Sequence, residues 1–347
     1  MNNNYSLSQL GWQPFFQQQL SLEEYEDCQC GRITAHHRND YIVQLESQSI
    51  TLPITMSLPA MTVGDWVLLD AEHRFMRLLD RKSLFSRKGA GTHAKVQYIA
   101  ANIDTLFVVM SLNQDFNLSR LERYLTLAFD ADVEPVIVLS KSDLCKDVQS
   151  KIAQVQSLNP LLMVLAVNGL LTFSAAQLAP WCKPGRTVSF VGSSGVGKST
   201  LINQLLAENV TRTSEIRKGD DKGKHTTTAR SVYISADNGI IIDTPGMREL
   251  QLIGSEESIQ HAFSDIEALA EKCRFKNCNH VDEPNCAVQN AVMAGTLDSR
   301  RLTNYHKLLR EQLHNNATLK QQRDKDKQFG KMIKQVMKDK KQHKNPY

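Results

Sequence analysis

The stretch GSSGVGKST, Gly192 to Thr200, constrains this chain more than any other. It fits G-x-x-x-x-G-K-S, follows the apolar run RTVSFVG and opens a helical run, which is the context that gives the motif its weight. The glycines let backbone N–H groups close around phosphates at the start of a helix. A phosphate-binding loop is therefore expected over Gly192, Ser193, Ser194, Gly195, Val196, Gly197, Lys198, Ser199 and Thr200. Lys198 is placed to reach β- and γ-phosphate oxygens, and the Ser199 hydroxyl to coordinate Mg²⁺.

The surrounding chain has the rhythm such a loop needs. DTLFVVMSL (Asp104 to Leu112), PVIVLSKSD (Pro135 to Asp143), LLMVLAV (Leu161 to Val167) and RTVSFVG (Arg186 to Gly192) are near-continuous apolar runs, the mark of strands buried on both faces. Helical stretches at Ser119 to Phe129 and Asp147 to Ser157 separate them, which predicts α/β architecture with a largely parallel sheet. A hairpin is expected at Asp237-Asn238-Gly239.

Three further pieces complete a nucleotide site. DTPG, Asp243 to Gly246, follows an apolar strand; Asp243 suits an outer Mg²⁺ position, and the Gly246 N–H suits the γ-phosphate. In GKHTTTAR, Gly223 to Arg230, one of Thr226, Thr227 and Thr228 can supply another hydroxyl to the metal, and the segment suits a switch ordered by the triphosphate. SKSD, Ser140 to Asp143, addresses the base: the Asp143 carboxylate can accept from guanine N1–H and N2–H₂, and the Lys141 stem can cover the base plane. As residues alone, Ser140, Lys141, Ser142 and Asp143 read equally as a polar strand-to-helix turn. Small GTPases place the phosphate loop first and the base-reading motif last. Here SKSD precedes Gly192, so the order resembles that of the circularly permuted GTPases.

Cys273, Cys278, His280 and Cys286 fall within fourteen residues with the spacing C-x₄-C-x-H-x₅-C. Three thiols and an imidazole suit a closed tetrahedral Zn²⁺ site, structural because it leaves no position for substrate. Of the other four cysteines, Cys145 and Cys182 read as buried and the Cys28/Cys30 pair as structural. An odd total of seven and an N-terminus without a secretory pattern argue against a disulfide framework and for the cytoplasm. No apolar run reaches the ~18 residues that span a bilayer, so no membrane partner is expected.

Short alternating segments from Arg32 to Leu79, with a hairpin turn near Arg38 to Asp40 and a strand in VGDWVLL, predict a small β-barrel, the OB type among the candidates. SRKGAG, Ser86 to Gly91, reads as a joint between domains. LGWQPFFQQQLSLEE reads as an amphipathic helix on the barrel, and Asp298 to His314 as a packed helix. Ten Lys or Arg against three Asp between Lys320 and Lys344 give a local +7, against +4 for the whole chain, so the basic character is mostly a tail that is solvated or binds a polyanion.

Barrel, permuted GTPase and Cys₃His module, in that order, resemble one family: the ribosome small subunit-dependent GTPase A, RsgA. The resemblance implies a multi-domain chain: an N-terminal OB-fold barrel over 1–88, a central α/β circularly permuted P-loop GTPase over 92–252, and a mostly helical zinc-binding module with a basic tail over 253–347. It further implies a cytoplasmic, monomeric GTP hydrolase that binds the 30S subunit and 16S rRNA, acts late in small-subunit assembly, and is released when GTP becomes GDP and phosphate. Three positions depart from the pattern. Ser140 stands where Asn or Thr is usual, which weakens the expected base contact. AVNG, Ala166 to Gly169, lacks a Ser-Ala pair. Met247 occupies the place of a water-orienting Gln, and no His follows the DTPG motif before His261. His225 or a group on the ribosome is then the candidate to position water. The competing expectation is a guanine-nucleotide-sensing RNA-binding module with incidental hydrolysis, which the missing Gln favours; a GTPase of the large subunit fits the flanking barrel and metal module less well.

Overall fold

The computed structural model describes residues 5–88, 96–206, 231–243 and 255–316. Two short helices, α1 (Pro14–Gln17) and α2 (Leu22–Asp27), precede the strands β1 (Gln29–His36), β2 (Asp40–Gln44), β3 (Ser49–Pro53), β4 (Trp66–Leu69) and β5 (Phe75–Leu78). These pair antiparallel in the order β3-β2-β1-β4-β5. Bulges between Ile33 and Ala35 and between Leu68 and Leu69 bend the ladder. Among the described residues no ladder joins β3 to β5, so the expected barrel is an open half-barrel. Ile33, Val43, Met61 and Val67 fill its inner face. Leu10 and Phe16 pack with Trp66, Leu68 and Leu79 on the other side, so the N-terminal segment covers the sheet as two short helices and a turn rather than one long helix.

β6 (Leu84–Lys88) and β7 (Val96–Ala101) form a two-stranded ladder. Of the SRKGAG stretch, Ser86 to Lys88 finish a strand, because Phe85 inserts into the core beside Ile99 and Ala100, and Gly89 to Gly91 lie outside the described residues. The proposed boundaries at 88/92 and 252/253 abut or fall inside stretches outside the described residues.

The central sheet contains β8 (Thr105–Ser111), β9 (Glu134–Ser140), β10 (Met163–Ala166), β11 (Thr187–Val191), β12 (Ser231–Ile234) and β13 (Ile240–Asp243). Its order is β10-β9-β8-β11-β13-β12, parallel except for the β12–β13 hairpin. That hairpin turns at Asn238, whose φ is 61°. The apolar runs have their cause here. Leu106, Val108 and Met110 of β8 face one core, and Phe107 and Val109 face the other. α3 (Leu118–Asp130) and α4 (Val148–Gln156) cover the first face, and α5 (Lys198–Leu206) covers the second.

After 254 the described chain is helical: α6 (Glu256–Ala262), α7 (Ser264–Ala270), α8 (Ala287–Met293) and α9 (Ser299–Asn316). Ile259, Phe263, Ile266, Tyr305 and Leu308 join Leu121, Tyr124 and Leu125 of α3 in one continuous core. Glu122, buried on α3, accepts from Arg300, Arg301 and Asn304 of α9. At the other end of the sheet, Asp104 accepts from Gln13, Lys82 and the Thr187 N–H, tying the N-terminal unit to the amino ends of β8 and β11.

Candidate functional site

The carboxyl ends of the parallel strands lie along one edge. Ser111 is in register with Ser140, Leu139 with Ala166, and Val108 with Val191. From β8 the sheet extends one way through β9 and β10 and the other way through β11 and β13, so the order reverses between β8 and β11. Open α/β sheets bind ligands outside the carboxyl ends at such a reversal. The loop that leaves β11 there is Gly192 to Gly197, and it enters α5 at Lys198.

Gly192 has φ 147°, and a Cβ added to it would stand 2.1 Å from the Val109 carbonyl oxygen of β8. Backbone occupies that space, so no side chain can replace the hydrogen. Lys198 Nζ donates to the carbonyls of Gly192 and Ser193 at 2.7 and 2.6 Å, which folds the ammonium over the loop it is expected to share with phosphates. Ser189 Oγ donates to the Ile242 carbonyl at 2.8 Å, fixing β13 beside β11. Asp243 is the next residue, so it ends its strand next to the phosphate loop.

SKSD sits at the end of β9 on the same edge. Ser140 is buried, and its Oγ donates to the Val196 carbonyl at 2.5 Å. Its hydroxyl therefore links the base motif to the phosphate loop, a role the sequence reading gave only as a weakened base contact. Lys141 takes φ 56° and starts a short 3₁₀ turn that carries Asp143, whose side chain is exposed. Asn168, in the AVNG stretch, accepts from the Leu170 N–H, and Gln204 of α5 donates to the Gly169 carbonyl. Gly192 to Thr200, Ser140 to Asp143 and Asp243 thus converge on one edge. His225, Thr226, Thr227, Thr228, Gly246 and Met247 lie outside the described residues, as does the basic tail.

The second cluster is Cys273, Cys278, His280 and Cys286, whose ligand atoms all lie within 4.8 Å of one another. His280 Nδ1 is 3.6 Å from the Cys273 Sγ and 3.4 Å from the Cys286 Sγ, and the two sulfurs are 3.8 Å apart. A tetrahedral ion with sulfur at about 2.3 Å and nitrogen at about 2.0 Å has edges of roughly 3.8 and 3.5 Å. The residues fit one metal ion. Cys286 caps α8, its sulfur accepting from the Gln289 N–H, so a helix start faces the thiolates. Burial, with His306 nearby, lowers the His280 pKa, favouring the neutral imidazole that ligates metal. Gln289 Nε2 donates to the His280 carbonyl at 2.6 Å, and Glu283 accepts from the N–H groups of Asn279 and Val281, so the ligand loop is braced from outside.

The other cysteines are free thiols. Cys182 is buried, and burial pushes its thiol up to about 12. Cys145 is only half-buried, less than expected, because it follows the exposed turn of Asp143. Among the described residues, no helix is long and apolar enough to cross a membrane.

A glycine-built loop at the reversal point of a parallel sheet, with SKSD earlier in the chain, is the order expected of a circularly permuted GTPase. The RsgA GTPase family model matches residues 78–253. The chain is 55% identical over 341 residues to the small ribosomal subunit biogenesis GTPase RsgA 2 of Vibrio parahaemolyticus, covering 98% of this chain and 95% of that protein. It is 44% identical over 297 residues to the small ribosomal subunit biogenesis GTPase RsgA of Xylella fastidiosa, covering 82% and 86%. Of the solved structures, YjeQ from Thermotoga maritima matches with TM-score 0.62 at 25% identity, over 82% of this chain and 99% of that one. YloQ, a circularly permuted GTPase, matches with TM-score 0.59 at 23% identity, over 84% and 98%, a likeness of fold. The chain belongs to the RsgA GTPase family and is a GTP hydrolase.

Proposed function

We propose that this chain is a cytoplasmic, monomeric GTPase of small-subunit biogenesis, which binds the 30S subunit and its 16S rRNA late in assembly and leaves when GTP is hydrolysed. The observation that carries the reading is the joint presence of half-barrel, permuted GTPase sheet and Cys₃His module, over nearly the full length shared with relatives named for this process. In this reading Asp143 accepts from the guanine edge and Lys141 covers the base. Backbone N–H groups from Gly192 to Thr200 surround the phosphates, Lys198 neutralises β- and γ-phosphate charge, and the Gly246 N–H meets the γ-phosphate. The Ser199 hydroxyl and one of Thr226, Thr227 and Thr228, supported by Asp243, would hold the Mg²⁺ that enters with the nucleotide, and the ion would supply neutralisation of phosphate charge. The ion of the Cys₃His cluster is zinc, and its role is structural because all four positions are protein ligands.

Met247 cannot orient water, so the positioning group is His225 or lies on the ribosome. Single-turnover GTP hydrolysis with and without 30S subunits tests this. The reading expects stimulation of at least ~10-fold, equivalent to about 1.4 kcal/mol of barrier. His225→Ala then places the water: loss of the stimulated rate with unchanged nucleotide affinity assigns it to His225, and an unchanged rate assigns it to the subunit. No stimulation by 30S subunits would leave a nucleotide-sensing RNA-binding module as the better description.

A further inference from the structure

A cation from outside the phosphate loop grips it. Arg120, in the first turn of α3, places Nη1 2.5 Å from the Ser193 Oγ and 2.5 Å from the Asp115 Oδ1. α3 follows β8 and Ser193 follows β11, so the contact bridges the crevice at the reversal point of the sheet.

The arginine is itself held in place. Asn117 caps α3 by accepting from the Arg120 N–H at 2.9 Å. Asn113 Oδ1 accepts from the Asp115 N–H at 3.0 Å and from the Ser111 hydroxyl at 2.8 Å, which fixes the carboxylate partner to the end of β8. Asp115 neutralises the guanidinium, so Arg120 acts at Ser193 as a directed donor rather than as a free charge.

Ser193 is thereby held twice, at its carbonyl by Lys198 and at its hydroxyl by Arg120. The arrival of nucleotide affects the two holds differently. The ammonium of Lys198 is needed at the phosphates, so its three donors are divided between them and the loop carbonyls. The hydroxyl points to α3 and can keep its partner. We propose that Arg120 is a positioning residue for nucleotide binding, which holds the phosphate loop from across the crevice through the Ser193 hydroxyl while Lys198 reaches toward the phosphates.

The inference rests on reading Gly192 to Thr200 as the phosphate loop. Because the loop cradles phosphates common to GDP and GTP, loss of the contact weakens both nucleotides alike and spares turnover once the site is filled. Fluorescent GDP and a fluorescent non-hydrolysable GTP analogue, titrated into the full-length, metal-loaded protein, provide the measurement. Arg120→Ala raises both dissociation constants about 10-fold, the low end for a hydrogen bond to a charged group, since the side chain is 35% exposed. At saturating GTP, kcat stays within roughly twofold. Ser193→Ala, which removes a single oxygen and leaves the fold undisturbed, gives the same loss; the double variant adds nothing further, and Arg120→Lys, which can still donate to both acceptors, restores most of the affinity. A merely structural role would instead lower the melting temperature and give additive losses. Ser193→Ala with both affinities within about twofold of the parent, or fully additive losses, overturns the proposal. Lys198→Ala separates the layers: if it binds nucleotide normally, the phosphate-loop reading itself fails, whereas lost binding there with normal binding in Ser193→Ala removes only the role given to Arg120.

Discussion

Replacing Glu122 by Ala tests whether the C-terminal helices and the GTPase sheet melt as one unit. The carboxylate is fully buried and accepts from Arg300 at 3.0 and 3.1 Å, from Arg301 at 2.9 Å and from Asn304 at 2.5 Å. Removing one partner of a buried ion pair costs about 3–5 kcal/mol because the other charge is left in the interior. Here the lower figure applies. Arg301 keeps Asp265 and the carbonyls of Leu158 and Ala262, and Arg300 is one-third exposed and can turn to water. For a unit of roughly 150–250 residues, about 1 kcal/mol moves the midpoint by ~2–4 °C, so Glu122→Ala should lower Tm by ~6–12 °C in scanning calorimetry. The control is Glu311→Ala, which breaks the pair with Arg123 on the same two helices. Both of those side chains are about a quarter exposed, and such a pair is worth up to ~1 kcal/mol. Equal shifts for the two variants would refute the reasoning, because burial would then contribute nothing. A separate, earlier transition for α6 to α9 in the parent protein would also refute it, since one core would not hold both parts.

Asp143→Asn should move nucleotide preference from GTP toward xanthosine triphosphate, because an amide can donate to the added carbonyl; competition by ATP equal to that by GTP in the parent protein would sink the base assignment. Elemental analysis should find about one zinc per chain, and Cys278→Ala should lose it and open the segment around α8 to proteolysis. The hydrogen bond from Arg77, reinforced by the Ser21 N–H, holds Glu24 down to about 2 from an ordinary 4.5. A depressed carboxylate contributes stability that is complete above its unfolded pKa and is lost as pH falls through the folded one. The Tm gap between the parent and Glu24→Gln should therefore be constant near neutral pH and close on acidification from about 4.5 to about 2.

What the sequence made legible is what repeats locally. Leu106 to Met110 read as a doubly buried strand because each residue meets a covered face. The contact of Gly192 with Val109 is written as a glycine at a fixed place in a motif. Cys273 to Cys286 lie close enough in sequence for spacing to imply geometry. Ser86 shows the opposite case: glycine and basic residues dominate the local pattern of SRKGAG, while the partner that makes Ser86 a strand residue is Tyr98. Ser140 reached Val196, Arg120 reached Ser193 and Glu122 reached Arg301 across 56, 73 and 179 residues. Those pairings leave no periodic trace, since a single polar side chain looks the same whether it meets water or a distant partner.

The anchoring of Asp104 at the amino ends of β8 and β11 has a metrical consequence. Gln13 and Lys82 fasten the half-barrel there, and the Thr187 N–H that Asp104 also holds begins β11, which ends at Val191, one residue before Gly192. Five residues at about 3.3 Å each put roughly 16 Å between the anchor and the start of the phosphate loop. An extended, hydrogen-bonded strand can neither stretch nor compress by much, so the sheet works as a caliper with the half-barrel fastened at one jaw and the nucleotide loops at the other. A surface that engages both therefore meets the half-barrel and the nucleotide edge at a fixed separation, which the strand between them does not allow to drift.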